Sequence, residues 1–184
     1  MLCLRRGVTL ARLRQEHADR MLLWMHDPVV RDGIGLRGAA SLEKTQEWIR
    51  RALADLSVAP FAVLLSGEHV GNVILDRRDD YLRMARLSIY IGERESRGRG
   101  VGTTAVFHAA RFAFDRWGLH KLWLTVHEEN HAALAAYEKV GFVREGVLRD
   151  EFLLGGRRLA ALYMGLLHSD FARVQSTAVE EAAS

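Results

Sequence analysis

Residues 87–142 carry a pattern that leaves few folds open. An apolar alternating run, Leu87-Ser88-Ile89-Tyr90-Ile91-Gly92, leads into a dense glycine–arginine turn, Arg97-Gly98-Arg99-Gly100-Val101-Gly102. Val106, Ala109, Ala110, Ala113, Phe114 and Trp117 then recur at helical spacing, and Gly118 suits the position just past a helix end. Leu122, Leu124 and Val126 give a second alternating strand. A strand, a helix and a strand in this order predict parallel neighbours in one sheet, joined by a right-handed crossover. The glycine turn then lies at the carboxyl end of the sheet, where α/β folds place ligands.

The turn itself has the chemistry of an anion site. Glycines at 98, 100 and 102 let several backbone N–H groups converge on one point, and a helix N-terminus adds roughly half a positive charge. That combination suits a pyrophosphate, with Arg97 and Arg99 supplying formal charge nearby. A dinucleotide fingerprint fails on the spacing of the glycines. A Walker A loop fails because Thr103-Thr104 follows Gly102 where Lys-Ser/Thr is needed. Otherwise the turn is a junction that lets a strand meet a helix.

The first half reads as a sequence of short elements. Val8 to Leu13 is a predicted strand and Glu16 to Met25 a predicted helix, with Ala18, Met21, Leu22 and Met25 on one face. Asp27-Pro28 ends it. Val29 to Ala40 is expected to be an irregular loop carrying Arg31 and Arg37 against Asp32. Ser41 is a predicted N-cap, followed by a helical face of Thr45, Trp48, Ile49, Ala52, Leu53 and Leu56. Phe61 to Leu65 and Val70 to Leu75 are predicted strands with Ser66 to His69 as the turn between them, and Asp76 to Asp80 as a charged loop. From Ser169 the pattern fades into small and polar residues, so one domain is expected over 1–168 and a mobile tail over 169–184.

Composition bounds the function. A chain of 184 residues fits one domain. The single cysteine, Cys3, cannot form an internal disulfide and fits a reducing cytoplasm. A net charge of +3 is too mild to mark a nucleic-acid binder, and an RNA-binding arginine–glycine segment would not sit inside a folded strand–helix unit. No apolar run approaches the roughly 20 residues of a membrane span. Arg5 and Arg6 interrupt the apolar start, so no signal-peptide core is expected.

Arg97-x-x-Gly100-x-Gly102 after an apolar strand resembles the pyrophosphate motif of the GNAT superfamily of N-acetyltransferases. Asn130 after the second strand and Tyr137-Glu-Lys-Val-Gly-Phe142 closing a short helix extend the likeness, which continues through Glu145 to Phe152 and the Gly155-Gly156 turn to Leu166. The branch it is most similar to contains ribosomal-protein N-terminal, spermidine and amino-sugar-nucleotide acetyltransferases. The resemblance implies an α/β fold with a mixed, twisted sheet of about six or seven strands flanked by helices. It places a terminal hairpin at about 142–152 and 157–166, with Leu153, Leu154 and Leu162 helping to cover the core. Dimers are common in the branch.

The resemblance implies acetyl-CoA as co-substrate and no metal. Backbone at Tyr90, Ile91 and Gly92 would pair with the pantetheine. The pyrophosphate would rest on amides of Arg97, Gly98, Arg99, Gly100, Val101 and Gly102, with Thr103 close. Asn130 would reach the pantetheine region, although the same residue suits an N-cap. Tyr137 matches the usual general acid. A phenol of pKa about 10 can share its proton with a departing thiolate of pKa about 8.5; outside the motif such a tyrosine would be a core aromatic.

The base and the acceptor stay open. An alkyl amine of pKa about 10.4 is neutral in only about one part in a few thousand at pH 7. Relatives often carry a glutamate near the position of Arg86, and no carboxylate stands between Ala85 and Gly92. Glu93, Glu95, His127 and Glu128 sit near strand ends; His127 has the most suitable pKa, and none is assigned. The acceptor is an amine on a small molecule or peptide. The arginines of the 29–40 loop favour a nucleotide-linked amino sugar, with a protein N-terminus or a polyamine as alternatives. A non-catalytic CoA-binding module is the reading from another class.

Overall fold

The computed structural model describes residues 2–36 and 38–180. Arg37 therefore lies outside the described residues, as do the last four residues of the expected tail. In chain order the elements are β1 (Cys3–Leu4), β2 (Val8–Arg12), α1 (Ala18–Met25), α2 (Pro28–Gly33), α3 (Leu42–Ala54), β3 (Ala59–Leu65), β4 (Glu68–Asp79) and β5 (Met84–Ile91). There follow α4 (Val101–Asp115), β6 (Lys121–His127), α5 (His131–Val140), β7 (Val143–Leu154), β8 (Arg157–Leu167), α6 (His168–Thr177) and β9 (Val179–Glu180).

Seven strands form one sheet in the order β2-β3-β4-β5-β6-β8-β7. The pairs are antiparallel except β5 with β6, so the predicted mixed α/β sheet and its parallel central pair are present. One face carries α4, α5 and α6: Ala105, Val106, Ala109, Ala113 and Phe114 of α4 pack with Leu87 of β5, Leu122 and Leu124 of β6, and Phe171 of α6. The small residues of α4 let its backbone lie close to the strands. The opposite face carries α1 and α3, with Met21, Ile49 and Ala62 fully buried around Leu13.

Local sequence explains most element ends. Ser41 caps α3 by accepting from the Lys44 amide at 3.2 Å. Asp27 caps α2 the same way through the Val29 amide at 2.9 Å, with Pro28 at the first helical position.

Several expectations need correction. The 29–40 loop begins as a helical turn, because the Asp27-Pro28 pair that ends α1 also starts α2. The turn after β3 is only Ser66-Gly67, both at positive φ, so Glu68 and His69 belong to β4. The 76–79 stretch continues β4 rather than forming a loop. Leu56 is 90% exposed because α3 stops at Ala54, and Leu153 is 61% exposed on the edge strand β7. The 169–184 tail is helical over its first part: α6 inserts Phe171, 1% exposed, against Phe107 and Phe114. α6 is therefore packed onto the core of the sheet. Among the described residues no helix is long and apolar enough to cross a membrane.

Candidate active site

The central parallel pair is short. β5 and β6 are in register only from Met84 to Arg86 against Lys121 to Trp123. Beyond that they diverge, and a gap opens between 87–91 and 124–127. β6 stays paired with β8 along its whole length, so the gap lies on one side of β6 alone. An apolar strand end with free backbone groups beside a glycine turn is a place for an extended ligand to pair as a strand would.

Which backbone groups face the gap follows from strand alternation. The Gly92 amide donates to Val70 O at 2.9 Å, and β4 pairs with β5 in the register Asn72↔Tyr90 and Ile74↔Ser88. Antiparallel pairs alternate in direction, so the groups of Ser88, Tyr90 and Gly92 point toward β4. Those of Leu87, Ile89 and Ile91 point toward the gap. Of the three residues expected there, only Ile91 turns its backbone to the gap, and its carbonyl is taken by Arg97, which leaves the amide. Ile89, not among the expected residues, faces the gap with both groups, because a sequence does not say which neighbour a strand residue bonds.

Tyr90 and Gly92 have other roles. The Tyr90 hydroxyl accepts from Asn72 Nδ2, and Asn72 Oδ1 pairs with His69 Nε2 at 3.0 Å. Asn72 is fully buried, and burial raises the Tyr90 phenol above its ordinary pKa. Trp24 of α1 lies edge-on to both His69 and Tyr90. A Cβ on Gly92 would come within 1.9 Å of the Trp24 ring, so Gly92 lets α1 seat on the end of β5.

The glycine turn follows directly. Gly98 and Gly100 adopt φ of +72° and +77°, open mainly to glycine. The first intrahelical bond of α4 runs from the Thr104 amide to Gly100 O at 3.0 Å, leaving the amides of Val101, Gly102 and Thr103 unused by the helix. A Cβ on Gly102 would stand 3.7 Å from Ile91 Cγ1, in the space where turn and gap meet. Gly98, Arg99, Gly100 and Thr103 line an open cleft of about 920 Å³, with Arg5, Lys139 and α6 residues on its other walls. The Arg5 amide is anchored on Thr104 Oγ1 at 2.8 Å. The cleft therefore combines free amides with three cationic side chains, which fits the phosphates of CoA.

Arg97 is not one of those cations. Its Nε donates to Ile91 O at 2.9 Å, and its Nη2 donates to Gly92 O and Asp27 Oδ2, both at 2.8 Å. Its own amide is spent on Arg94 O. This residue fixes the strand end rather than presenting charge to a ligand.

Tyr137 lies on α5 in the core on the α4 side of the sheet, 7% exposed, with its ring against Phe142. Burial raises its phenol well above the ordinary range, so it is protonated at neutral pH. Asn130 caps α5, its side chain accepting from the Ala133 amide at 3.1 Å. On the opposite face of the sheet, Arg86 is held by Asp76 directly across from it on β4, through a fork of 2.8 and 2.6 Å. The cation at the expected base position is thus already neutralised by a neighbour.

The profile of the acetyltransferase (GNAT) domain matches residues 8–143. A spermidine N(1)-acetyltransferase of Vibrio cholerae is 37% identical over 132 residues, 71% of this chain and 76% of that one. Its counterpart in Escherichia coli K12 is 34% identical over 117 residues, 64% of this chain and 62% of that one, so the match spans a little under two thirds of the E. coli protein. The V. cholerae enzyme crystallised with CoA and spermine superposes with a TM-score of 0.84 at 26% identity, covering 90% of this chain and 98% of the other. A splayed parallel pair, a glycine turn at a helix start and a buried tyrosine on the helix that follows β6 agree with that match: the chain belongs to the GNAT acetyltransferase family.

Proposed function

We propose that this protein transfers an acetyl group from acetyl-CoA to a primary amine by direct attack in a ternary complex. The observation that carries the reading is the divergence of β5 from β6 beside the glycine turn, with Tyr137 buried on the α4 side of the same sheet. The amide and carbonyl of Ile89 and the amide of Ile91 offer the backbone edge for the pantetheine, the Ile91 carbonyl being held by Arg97. Gly98, Gly100 and the amides of Val101 to Thr103 cradle the pyrophosphate, with Arg99, Arg5 and Lys139 as its cations. Tyr137 keeps its proton until sulfur leaves, then donates it. An acetyl thioester supplies the activated carbonyl, and orienting it beside the amine is the main contribution of the fold.

A polyamine or similar alkyl ammonium is the acceptor class best supported. Asp32 of α2 and Glu129 lie close enough to act electrostatically on His127 at the mouth of the gap, and Glu128 stands between His127 and Glu129 in sequence. Nearby carboxylates favour the charged form of an ammonium. The nucleotide-linked amino sugar rested on loop arginines of which one lies outside the described residues, and the relatives above add nothing for it. Self-association is also proposed: β7 is an edge strand with Val143, Val147 and Leu153 more than half exposed, a pattern that invites covering.

Thiol release from acetyl-CoA tests the reading, using polyamines, peptides with free N-termini and amino-sugar nucleotides side by side. Turnover is expected with polyamines first. Tight acetyl-CoA binding with no turnover on any amine would return the protein to a non-catalytic CoA-binding module.

A further inference from the structure

β6 ends in a histidine that the acetyl-transfer reading leaves without a role. Alternation along β6 buries Leu122, Leu124 and Val126 beneath α4 and α5 and turns Trp123, Thr125 and His127 to the other face. His127 therefore stands at the open end of the gap, on the face opposite Tyr137. Its Nδ1 is buried and has no hydrogen-bond partner. The residue as a whole is half-buried, and Nε2 is its other ring nitrogen. The groups around it come from three directions: Asp32 from α2, Glu129 from the turn after β6, and the Phe152 ring edge-on from β7 at 5.7 Å. Glu129 is shared with Arg157 of β8, and Glu128 is occupied by the Ala160 amide at 3.3 Å. The carboxylate usual on β5 has no counterpart, since Arg86 is locked to Asp76.

We infer that His127 is the proton acceptor for the incoming ammonium group, with Asp32 and Glu129 guiding that cation to it. The inference rests on the acetyl-transfer reading above. Its geometry divides the reaction between the two faces of the sheet. On the acceptor face, His127 takes one proton from the ammonium and passes it to solvent. The freed amine forms the C–N bond to the carbonyl carbon as the C–S bond breaks. The second proton of the nitrogen ends on the departing sulfur by way of Tyr137, from the other face. Burial lowers the His127 pKa against the opposing pull of Glu129 and Asp32, so the ring is neutral and able to accept at pH 7.

The test compares His127→Gln with the wild type across pH, using acetyl-CoA and spermidine. At pH 7 kcat/KM should fall by about 10²-fold or more, while acetyl-CoA affinity measured by calorimetry is unchanged. The loss should shrink toward pH 10, where the amine deprotonates unaided; a purely structural role would not produce that convergence. As a second measurement, the His127 ring nitrogens of the wild-type protein, observed by ¹⁵N NMR with CoA bound, should shift on adding spermidine. A variant with the wild-type pH profile, or ring signals indifferent to the amine, overturns the assignment while leaving acetyl transfer intact. A wild type that turns over no amine overturns the acetyl-transfer reading, and this assignment with it.

Discussion

Arg97 and Asp27 join the two halves of the chain: Nη2 meets Oδ2 at 2.8 Å across seventy positions of sequence. The same guanidinium holds the carbonyls of Ile91 and Gly92, and it keeps the Asp27 carboxyl below its ordinary pKa. One side chain thus ties the end of β5, the glycine turn and the start of α2 into a single unit.

Arg97→Lys should therefore weaken acetyl-CoA binding although the charge is kept, because an ammonium cannot reproduce the planar fork. A loss of about 1.5–3 kcal/mol in stability is expected from the bonds to charged and carbonyl partners. Arg99→Ala should weaken binding through lost charge alone. Arg99 is exposed, so urea unfolding should be unchanged while binding loses a salt-dependent contribution. Calorimetry at two ionic strengths, beside urea melts of both variants, separates the two arginines.

Tyr137→Phe should lower turnover by about 10²–10⁴-fold when chemistry limits the rate. Acetyl-CoA affinity should hold, since the ring and its contact with Phe142 remain. Full turnover in single-turnover thiol release would remove Tyr137 as the acid.

Gly92→Ala should cost about 1–3 kcal/mol, because the added methyl would meet three ring carbons of Trp24 at 1.9–2.3 Å. Seating of α1 and α2 should loosen with it, so the amine KM should rise as well. Denaturant midpoints and steady-state kinetics check both effects, and a variant as stable as the wild type would contradict the packing described.

His69 gives the fold a pH dependence of definite sign. Burial, only partly offset by the bond to Asn72, lowers its pKa from 6.5 to about 4. Between those values the unfolded chain binds more protons than the folded one, so stability falls as pH drops from about 6.5 to about 4. The loss should be on the order of 2–3 kcal/mol. His69→Gln should flatten that part of the curve, measured as urea midpoints at a series of pH values. An unchanged slope would place the acid sensitivity elsewhere.

The central unit was legible in the sequence because its signals are local. Alternation from Leu87 to Ile91, the stripe through α4 and the glycines at 98 and 100 each reflect a backbone requirement met within a few residues. Tyr137 and Asn130 were readable through a motif of fixed spacing on one short helix. The α6 helix was missed because its apolar anchor is sparse: Phe171 is its one buried residue, too little to set a period.

Sequence alone determined the order of the elements from β5 to β8, the parallel central pair and the positions of the glycine turn and Tyr137. Tertiary structure decided which groups are free to act. Arg97 reads as an anion ligand until its donors are found spent on Ile91, Gly92 and Asp27. Arg86 reads as a misplaced cation until Asp76 appears across the sheet. Ile89 becomes a gap-facing residue only when β5 and β6 part, and the influence of Asp32 on His127 appears only once α2 is placed. Hydrogen-bond pairing between strands and across helices depends on register and approach, and those are set by packing between distant segments.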